Sequence, residues 1–218
     1  MVIPDGLSFD ELNKLYREEH AGDMRSMPFD EFFGEMDISA TQKDNRVKTA
    51  KRIQEFMQLG IASMYYLRQE GLYDYTEPAM EMTEAYNSLL RELAIPLTAY
   101  FGMAHVANTV ADIVSATSNH PDEMYYFTED RATLIAENEA NSIWNDSEYA
   151  DADLTGKHWK TWHAIRDRRT RDTHRAVDGT TVPIDEYFIV GDALLMYPRA
   201  DCDYPEEVVN CRCSLTFS

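Results

Sequence analysis

The chain has 218 residues, three cysteines and a formal net charge of −19 at pH 7. This length suffices for one domain with a hydrophobic core, or for a compact domain with a helical extension. An odd number of cysteines argues against a disulfide framework, and a bridge across one intervening residue would be strained. The acidic total disfavours nucleic-acid and membrane surfaces as partners. The first fifteen residues lack a basic stretch followed by an apolar one, so we expect no secretory signal and folding in a reducing cytoplasm.

The charge is distributed unevenly along the chain. Residues 1–156 contain 11 Lys and Arg against 29 Asp and Glu, whereas residues 157–218 contain 9 against 10. The cations of the second part are concentrated in residues 157–175. One interpretation is contact with a phosphate or an acidic partner. The candidate residues for this contact are Lys160, Arg168, Arg169, Arg171 and Arg175. The alternative is that these cations pair with carboxylates of the same domain.

The first part of the chain predicts helices. Ser8, followed by acidic residues, is typical of the N-cap of a short helix, and a second short helix is expected near Pro28. Apolar residues at three-and-four spacing predict a long helix over residues 45–71. A further helix follows Pro78 and is expected to end before Pro96.

Residues 97–117 are apolar nearly all round. Polar side chains interrupt the stretch, so we interpret it as a buried helix rather than as a membrane span. Thr128 then marks the start of an amphipathic helix that is expected to end near Trp144. An acidic loop is predicted over residues 145–153.

After this loop the pattern changes. Short β-branched and aromatic runs over residues 180–184 and 187–190, and again over 208–217, are bounded by turn residues and predict short strands. We therefore expect an α+β fold, with a helical N-terminal part followed by a small mixed domain whose short strands lie near the C-terminus. The expected division is a helical region over 1–120 and a second domain over 121–218.

Cys211 and Cys213 are separated by one residue, so in an extended segment both side chains face the same way. Tetrahedral zinc takes four nitrogen or sulfur ligands. The available set is His174, Cys202, Cys211 and Cys213, with His163 or Asp178 as substitutes. Such a zinc site would be closed and would tie the C-terminus to residues 167–179. The alternative is a group of buried thiols without metal.

His174 has two further interpretations. As an enzyme residue it would be a general base oriented by Asp167 or Asp178, with Arg168 and Arg171 on the same helical face holding an anion. In the simpler interpretation, the two aspartates pair with nearby arginines, and His174 hydrogen-bonds a turn at Asp178 and Gly179.

Trp159 and Trp162, three residues apart, are predicted to anchor their segment in the core. Stacking on nucleic-acid bases is the alternative role for these rings.

Several short motifs, taken in order, resemble the phage Mu F-like head morphogenesis family, whose members are minor head or minor capsid proteins. The matching residues, within about 125–217, are 134–139, 160–162, 167–174, Asp178 with Gly179, Phe188 with Gly191, Tyr197 with Pro198, and the Asn-Cys-Arg-Cys sequence at 210–213. Within them Trp162, Asp167, Asp178, Gly179 and Asn210 are the expected structural positions. Asn138 and Cys202 depart from the family pattern.

The resemblance implies a virion component of a tailed phage or prophage, present in few copies inside the capsid near the portal and made in the host cytoplasm. It further implies a role in head morphogenesis and in DNA packaging or ejection. The implied partners are the portal, the major capsid protein and packaged DNA, with no membrane and no enzymatic activity. We expect the acidic helices to avoid packaged DNA while their apolar faces contact portal or coat protein. Two alternatives stay open: a toxin-like effector enzyme that uses Arg171 and His174, and a zinc-stabilised DNA-binding module that uses residues 157–175.

Overall fold

The structure is a computed structural model that describes residues 3–4 and 6–218. Its backbone divides into two compact units. The helical unit comprises the chain up to Met27 together with Ala50–Ala94 and Gly102–Glu137, and the mixed unit comprises Pro28–Thr49, Ile95–Phe101 and Asn138–Ser218. Helices precede a few short antiparallel strands near the C-terminus, so the predicted α+β class is confirmed. A domain boundary at residue 120 stays a prediction.

The first N-terminal helix forms where its capping residue predicts it. Helix α1 spans Phe9–Glu19, and Ser8 forms a capping box with Glu11, which satisfies amide groups at the start of the helix. Helix α2 spans Phe29–Gly34 and belongs to the mixed unit. Helix α3 spans Ala40–Gln69, so it begins five residues before its predicted start.

In the helical unit, α3 is followed by α4, which spans Thr76–Leu93. A Cβ atom added at Gly60 of α3 would lie 2.5 Å from Cγ of Met82, so a glycine is needed for this close approach. Helix α5 spans Val106–Asn119 after a π-helical turn at Phe101–His105. Val106, Val110 and Ile113 of this helix are buried, as expected for a helix that faces the core, whereas its other face is exposed and residues 97–100 precede α5. No helix among residues 3–4 and 6–218 is long and apolar enough to cross a membrane.

Helix α6 spans Glu129–Leu154 and follows a 3-10 turn at Met124–Phe127. The acidic loop predicted over 145–153 is therefore wrong, because those residues continue the helix. Polar side chains stabilise this extension from the inside: buried Asp146 accepts hydrogen bonds from the Thr98 amide at 2.9 Å and from the Tyr197 hydroxyl at 2.6 Å. The sequence pattern alone does not distinguish a buried hydrogen-bonded acid from a solvated loop acid.

The mixed unit contains two small antiparallel sheets. Strands β1 (Trp159–His163), β2 (Thr181–Pro183) and β5 (Ser214–Phe217) form one sheet in the order β2-β1-β5. Strands β3 (Phe188–Val190) and β4 (Ala193–Leu195) form a hairpin. Short helices α7 (Asp172–Val177) and α8 (Pro205–Val208) complete the unit. The runs predicted near β2, β3 and β5 are confirmed as strands, whereas β1 and β4 were not predicted.

Strand β1 explains why one tryptophan is buried and the other is not. Trp162 is fully buried at 0% exposure, whereas Trp159 is 49% exposed. Residues three apart share a helical face but lie on opposite faces of a strand. The prediction that Trp159 anchors the core is therefore wrong, and Lys160 takes the buried position beside Trp162.

Candidate functional site

A buried cluster of one imidazole and two thiols lies at the centre of the mixed unit. His174 projects from α7, and Cys211 and Cys213 lie in the segment that leads into β5. Nδ1 of His174 is 3.3 Å from Sγ of Cys213 and 3.6 Å from Sγ of Cys211. Each of the three residues is 2% exposed. The predicted association of the C-terminal cysteines with His174 is therefore present, and we call these three residues the His-Cys-Cys cluster.

Glu207 of α8 completes the surroundings of the imidazole. Its Oε2 lies 3.1 Å from Nε2 of His174 and accepts a 2.8 Å hydrogen bond from the Thr173 hydroxyl. The turn of the β3–β4 hairpin leaves space for this carboxylate only because residue 191 is glycine: an added Cβ would lie 2.5 Å from Oε1 of Glu207. No sequence pattern indicated Glu207. It suggested a hydrogen bond from His174 to a turn at Asp178 and Gly179, whereas the two imidazole nitrogens face the cysteine sulfurs and Glu207.

Asparagines of α6 hold the main chain of the cysteine segment. Nδ2 of Asn141 donates to the carbonyl oxygen of Cys211 at 2.9 Å, and Nδ2 of Asn145 donates to that of Cys213 at 3.3 Å. Both amide oxygens accept from the buried guanidinium of Arg46 on α3 at 3.2 Å. The donors of Arg46 thus fix the orientation of both amides.

Asn138, one turn earlier on α6, holds the residue before the cysteines. Asn210 has a left-handed backbone with φ of 56°, which asparagine adopts at lower cost than most residues. The main-chain N–H of Asn210 donates to Oδ1 of Asn138 at 2.7 Å. The side-chain Oδ1 of Asn210 accepts from Nδ2 of Asn138 at 2.9 Å. The asparagines at 138, 141 and 145 have helical spacing in the sequence. No sequence pattern indicated that they bind the main chain of residues 210–213.

Trp162 of β1 covers the imidazole. The indole and the His174 ring meet nearly perpendicularly, at 81° with 5.8 Å between centroids. The indole N–H is buried and has no hydrogen-bond acceptor among the residues that the structure describes. An unpaired buried donor is costly, and the sulfur of Cys213 is the group it acts on, because the indole N–H opposes the rise in the pKa of that thiol.

The cluster is electrostatically coupled. Burial alone lowers the pKa of His174, but the Cys211 sulfur and Glu207 outweigh it, so this pKa is raised. For Cys211, burial opposes ionisation, but hydrogen bonds from Cys213 and His174 lower the pKa. The pKa of Cys213 is raised by its hydrogen bond with Cys211 and by burial. Of the two thiols, Cys211 is therefore the more acidic.

The space beside the cluster is small. A cavity of about 10 Å³ adjoins it, lined in part by Thr170, Arg171 and Arg212. A volume of about 10–15 Å³ holds one water molecule, so an organic substrate has no room there. Because both His174 nitrogens are engaged as well, the geometry gives no support to His174 as a general base acting on a substrate.

The other candidate ligands lie apart from the cluster. Among the described residues, the group whose ligand atoms lie within 4.8 Å of one another is His174, Cys211 and Cys213. The half-buried Cys202 instead donates from Sγ to the Tyr204 carbonyl at 3.4 Å. The substitutes are engaged elsewhere: His163 contacts Thr216 at 2.8 Å, and Asp178 accepts from Ala164 and Arg166.

Most of the candidate cations contact groups of the same chain. Arg169 lies 3.7 Å from Glu31, Arg171 donates to the Val209 carbonyl, and Arg175 pairs with Asp172 at 2.9 Å. Arg168 is exposed and lies before the start of α7. The prediction that Arg168 shares a helical face with His174 is therefore wrong.

Lys160 is not available for the predicted surface contact. It is 0% exposed, and its ammonium donates to the Met196 carbonyl at 2.8 Å and lies over the Tyr149 ring. Burial lowers the pKa of Lys160 to about 8. The alternation of β1 places this side chain inside.

The aspartates of the motif connect segments. Asp167 accepts from the Arg212 guanidinium, which anchors the buried residue between the two cysteines. Burial would raise the pKa of Asp167, but hydrogen bonds from Arg212 and Thr170 lower it. Asp178 accepts from the Ala164 amide at 2.9 Å and from Arg166 at 2.8 Å, as predicted for pairing with a nearby arginine.

These features define a small α+β domain whose C-terminal segment is locked to α6, α7 and β1 around a closed polar cluster. The profile of the family described as phage Mu protein F-like protein matches residues 102–216. This match covers more than half of the chain, so the protein belongs to the phage Mu protein F-like family, as the sequence motifs predicted. No curated protein and no solved structure matches the chain significantly. Family membership indicates a phage head morphogenesis protein.

Proposed function

We propose that the protein is a minor head protein of a tailed phage or prophage that acts in head morphogenesis inside the capsid, near the portal, and takes part in DNA packaging or ejection. The observation that carries this proposal is the family match over residues 102–216. The site supports a structural rather than an enzymatic role, because the cavity of about 10 Å³ beside His174 leaves no room for a substrate.

The helical unit is proposed to contact the portal. It carries large apolar side chains on its surface, with Tyr73 and Met80 exposed at 58% and 68%. Both line a cavity of about 850 Å³. Apolar side chains that cluster at a surface mark contact sites for other proteins. The surplus of carboxylates in residues 1–156 would repel packaged DNA at the same time.

The test is to locate the protein in particles. Purified virions, and virions from a deletion mutant of the gene, are compared by quantitative mass spectrometry and electron microscopy. We expect a few copies per wild-type particle, far below the major capsid protein, and defective heads or reduced DNA delivery without the protein. Absence of the protein from mature particles and from assembly intermediates would refute the proposal.

A second experiment tests the portal contact. The double substitution of Tyr73 and Met80 by serine is expected to reduce incorporation into particles and co-purification with the portal protein. Serine at Leu154, an exposed apolar residue of the mixed unit, is the matched control and is expected to leave both unchanged. Equal losses in the two variants would contradict a contact through the helical unit.

The proposal also makes a prediction about DNA binding by the isolated protein. The full chain should not bind duplex DNA at moderate salt, because the arginines between 166 and 175 are largely paired internally. Binding that falls steeply with salt and disappears in the Arg168→Ala/Arg169→Ala variant would favour a DNA-binding module instead.

A further inference from the structure

The two nitrogen-to-sulfur distances in the cluster match the edges of a tetrahedral metal site, and the two sulfurs lie within 4.8 Å of each other. Zn–S bonds of about 2.3 Å and Zn–N bonds of about 2.0–2.1 Å place a nitrogen and a sulfur ligand about 3.6 Å apart. In the structure, Nδ1 of His174 is 3.3 Å and 3.6 Å from the two sulfurs. We propose that His174 Nδ1 and the Sγ atoms of Cys211 and Cys213 bind a zinc ion, independently of the role in the virion.

The second nitrogen of His174 supports this assignment. Histidine ligands usually donate their other ring N–H to a carboxylate, which fixes the tautomer and the ring orientation. Nε2 of His174 faces Oε2 of Glu207 at 3.1 Å, which leaves Nδ1 directed at the sulfurs. Thr173 holds the same carboxylate, and Gly191 leaves room for it. Glu207 is therefore a positioning residue for the ligand, rather than a ligand itself.

The groups around the sulfurs suit thiolates. The Cys213 amide donates to Sγ of Cys211 at 3.5 Å, and the buried indole of Trp162 lies against the His174 ring at 5.8 Å between centroids, with its N–H acting on Cys213. Donors of this kind stabilise negative charge on ligand sulfur. Two thiolates neutralise Zn²⁺, so the ion adds no net charge beside Arg171 and Arg212, which line the adjoining cavity.

The ligand set is smaller than the sequence predicted. Cys202 is outside the group of ligand atoms and is hydrogen-bonded to the Tyr204 carbonyl. The cavity lined by all three residues has about the volume of one water molecule, so a water would supply the fourth ligand and the site would not be closed by protein ligands alone. Soft sulfur with one imidazole favours zinc over magnesium or calcium, which prefer oxygen ligands. The ion would tie the entry of β5 to α7 and would stabilise the fold.

The test begins with metal content. The full chain is purified without affinity metals from zinc-supplemented medium, and zinc, iron and copper are measured by mass spectrometry. We expect about one zinc ion per chain, retained in Cys202→Ser and lost in both Cys211→Ser and Cys213→Ser. Iron or copper in place of zinc would overturn the zinc assignment, and loss of zinc in Cys202→Ser would overturn the three-residue ligand set.

A second measurement uses the folded wild-type protein, because a cysteine variant can fail to fold. Removal of zinc by a chelator is expected to lower Tm, and zinc readdition is expected to restore it. Cobalt substitution should give the sulfur-to-cobalt absorption of a thiolate site. Glu207→Gln should keep the site but weaken zinc binding by about 10- to 100-fold. A folded wild-type chain with negligible zinc and a Tm indifferent to zinc and chelator would refute the proposal.

Discussion

Substitution of Gly191 by alanine tests how closely the β3–β4 hairpin approaches the cluster. Gly191 has φ of +60°, and a Cβ there would lie 2.5 Å from Oε1 of Glu207 and 3.1 Å from Cγ2 of Thr173. Real Cβ atoms do not approach so closely, so the carboxylate must move. The His174 imidazole then loses the partner of Nε2.

The magnitude follows from two contributions. A left-handed alanine costs about 1–2 kcal/mol relative to glycine. Loss of a hydrogen bond that involves charged groups costs about 1.5–3 kcal/mol. We therefore expect Gly191→Ala to lower the free energy of unfolding by about 2.5–5 kcal/mol. Gly179→Ala is the matched control, because Gly179 has φ of +78° and nothing within 4 Å of an added Cβ. The control should lose only about 1–2 kcal/mol.

Urea unfolding followed by tryptophan fluorescence measures the difference. All three tryptophans lie in the mixed unit, so the signal reports on the unit that contains the cluster. We expect both variants to keep the m-value of the wild type. The free energy of unfolding should then fall by about 1.5–3 kcal/mol more in Gly191→Ala than in Gly179→Ala. Equal losses in the two variants would refute the close approach of Glu207 to the hairpin.

Further substitutions test the surrounding core. Lys160 has a folded pKa of about 8, below its ordinary value of 10.5, so the unfolded chain binds more protons between these values and stability from this group rises across that window. Lys160→Met should therefore be more stable than wild type by about 1–3 kcal/mol below pH 8, with the difference shrinking toward pH 10.5; a constant difference in urea titrations would contradict buried charge as its cause. Arg46→Met should cost about 3–5 kcal/mol, because it leaves Glu148 without the 2.8 Å ion pair to a fully buried guanidinium; a loss below about 1 kcal/mol would show that the pair is not buried. Gly60→Ala should lower the free energy of unfolding of the helical unit by about 1–3 kcal/mol, because the added Cβ displaces Met82. An unchanged or raised Tm by circular dichroism would contradict the close contact of α3 and α4.

The sequence predicted helices correctly where the local sequence signal and the final packing favour the same structure. Ser8 and Glu11 are a local capping signal, and the three-and-four spacing in α3 reflects one buried face, so both helices were found. The end of α6 was missed because Asn145 and Asp146 resemble loop residues until their partners are known. Those partners are distant in sequence and no local pattern indicates them.

The candidate site was predicted in part for the same reason. The spacing of Cys211 and Cys213 indicated a shared face, and His174 was one of the candidate ligands named with them, whereas the fourth candidate, Cys202, lies outside the group. Glu207 was not found, because its role depends on α8 and on the space above Gly191. Trp159 was misassigned because residues three apart lie on opposite faces of a strand, and Lys160 was misassigned because its charge indicated a surface contact although the alternation of β1 places it inside.

Cysteine alkylation tests most directly whether the C-terminal segment is docked around His174. The native, metal-free chain is treated with iodoacetamide, and modification of each cysteine is followed by peptide mass spectrometry. Cys202 is half-buried, whereas Cys211 and Cys213 are each 2% exposed, so Cys202 should react first while the other two stay protected until the mixed unit unfolds. Modification of Cys211 and Cys213 in the folded chain as fast as Cys202 would contradict a docked C-terminal segment.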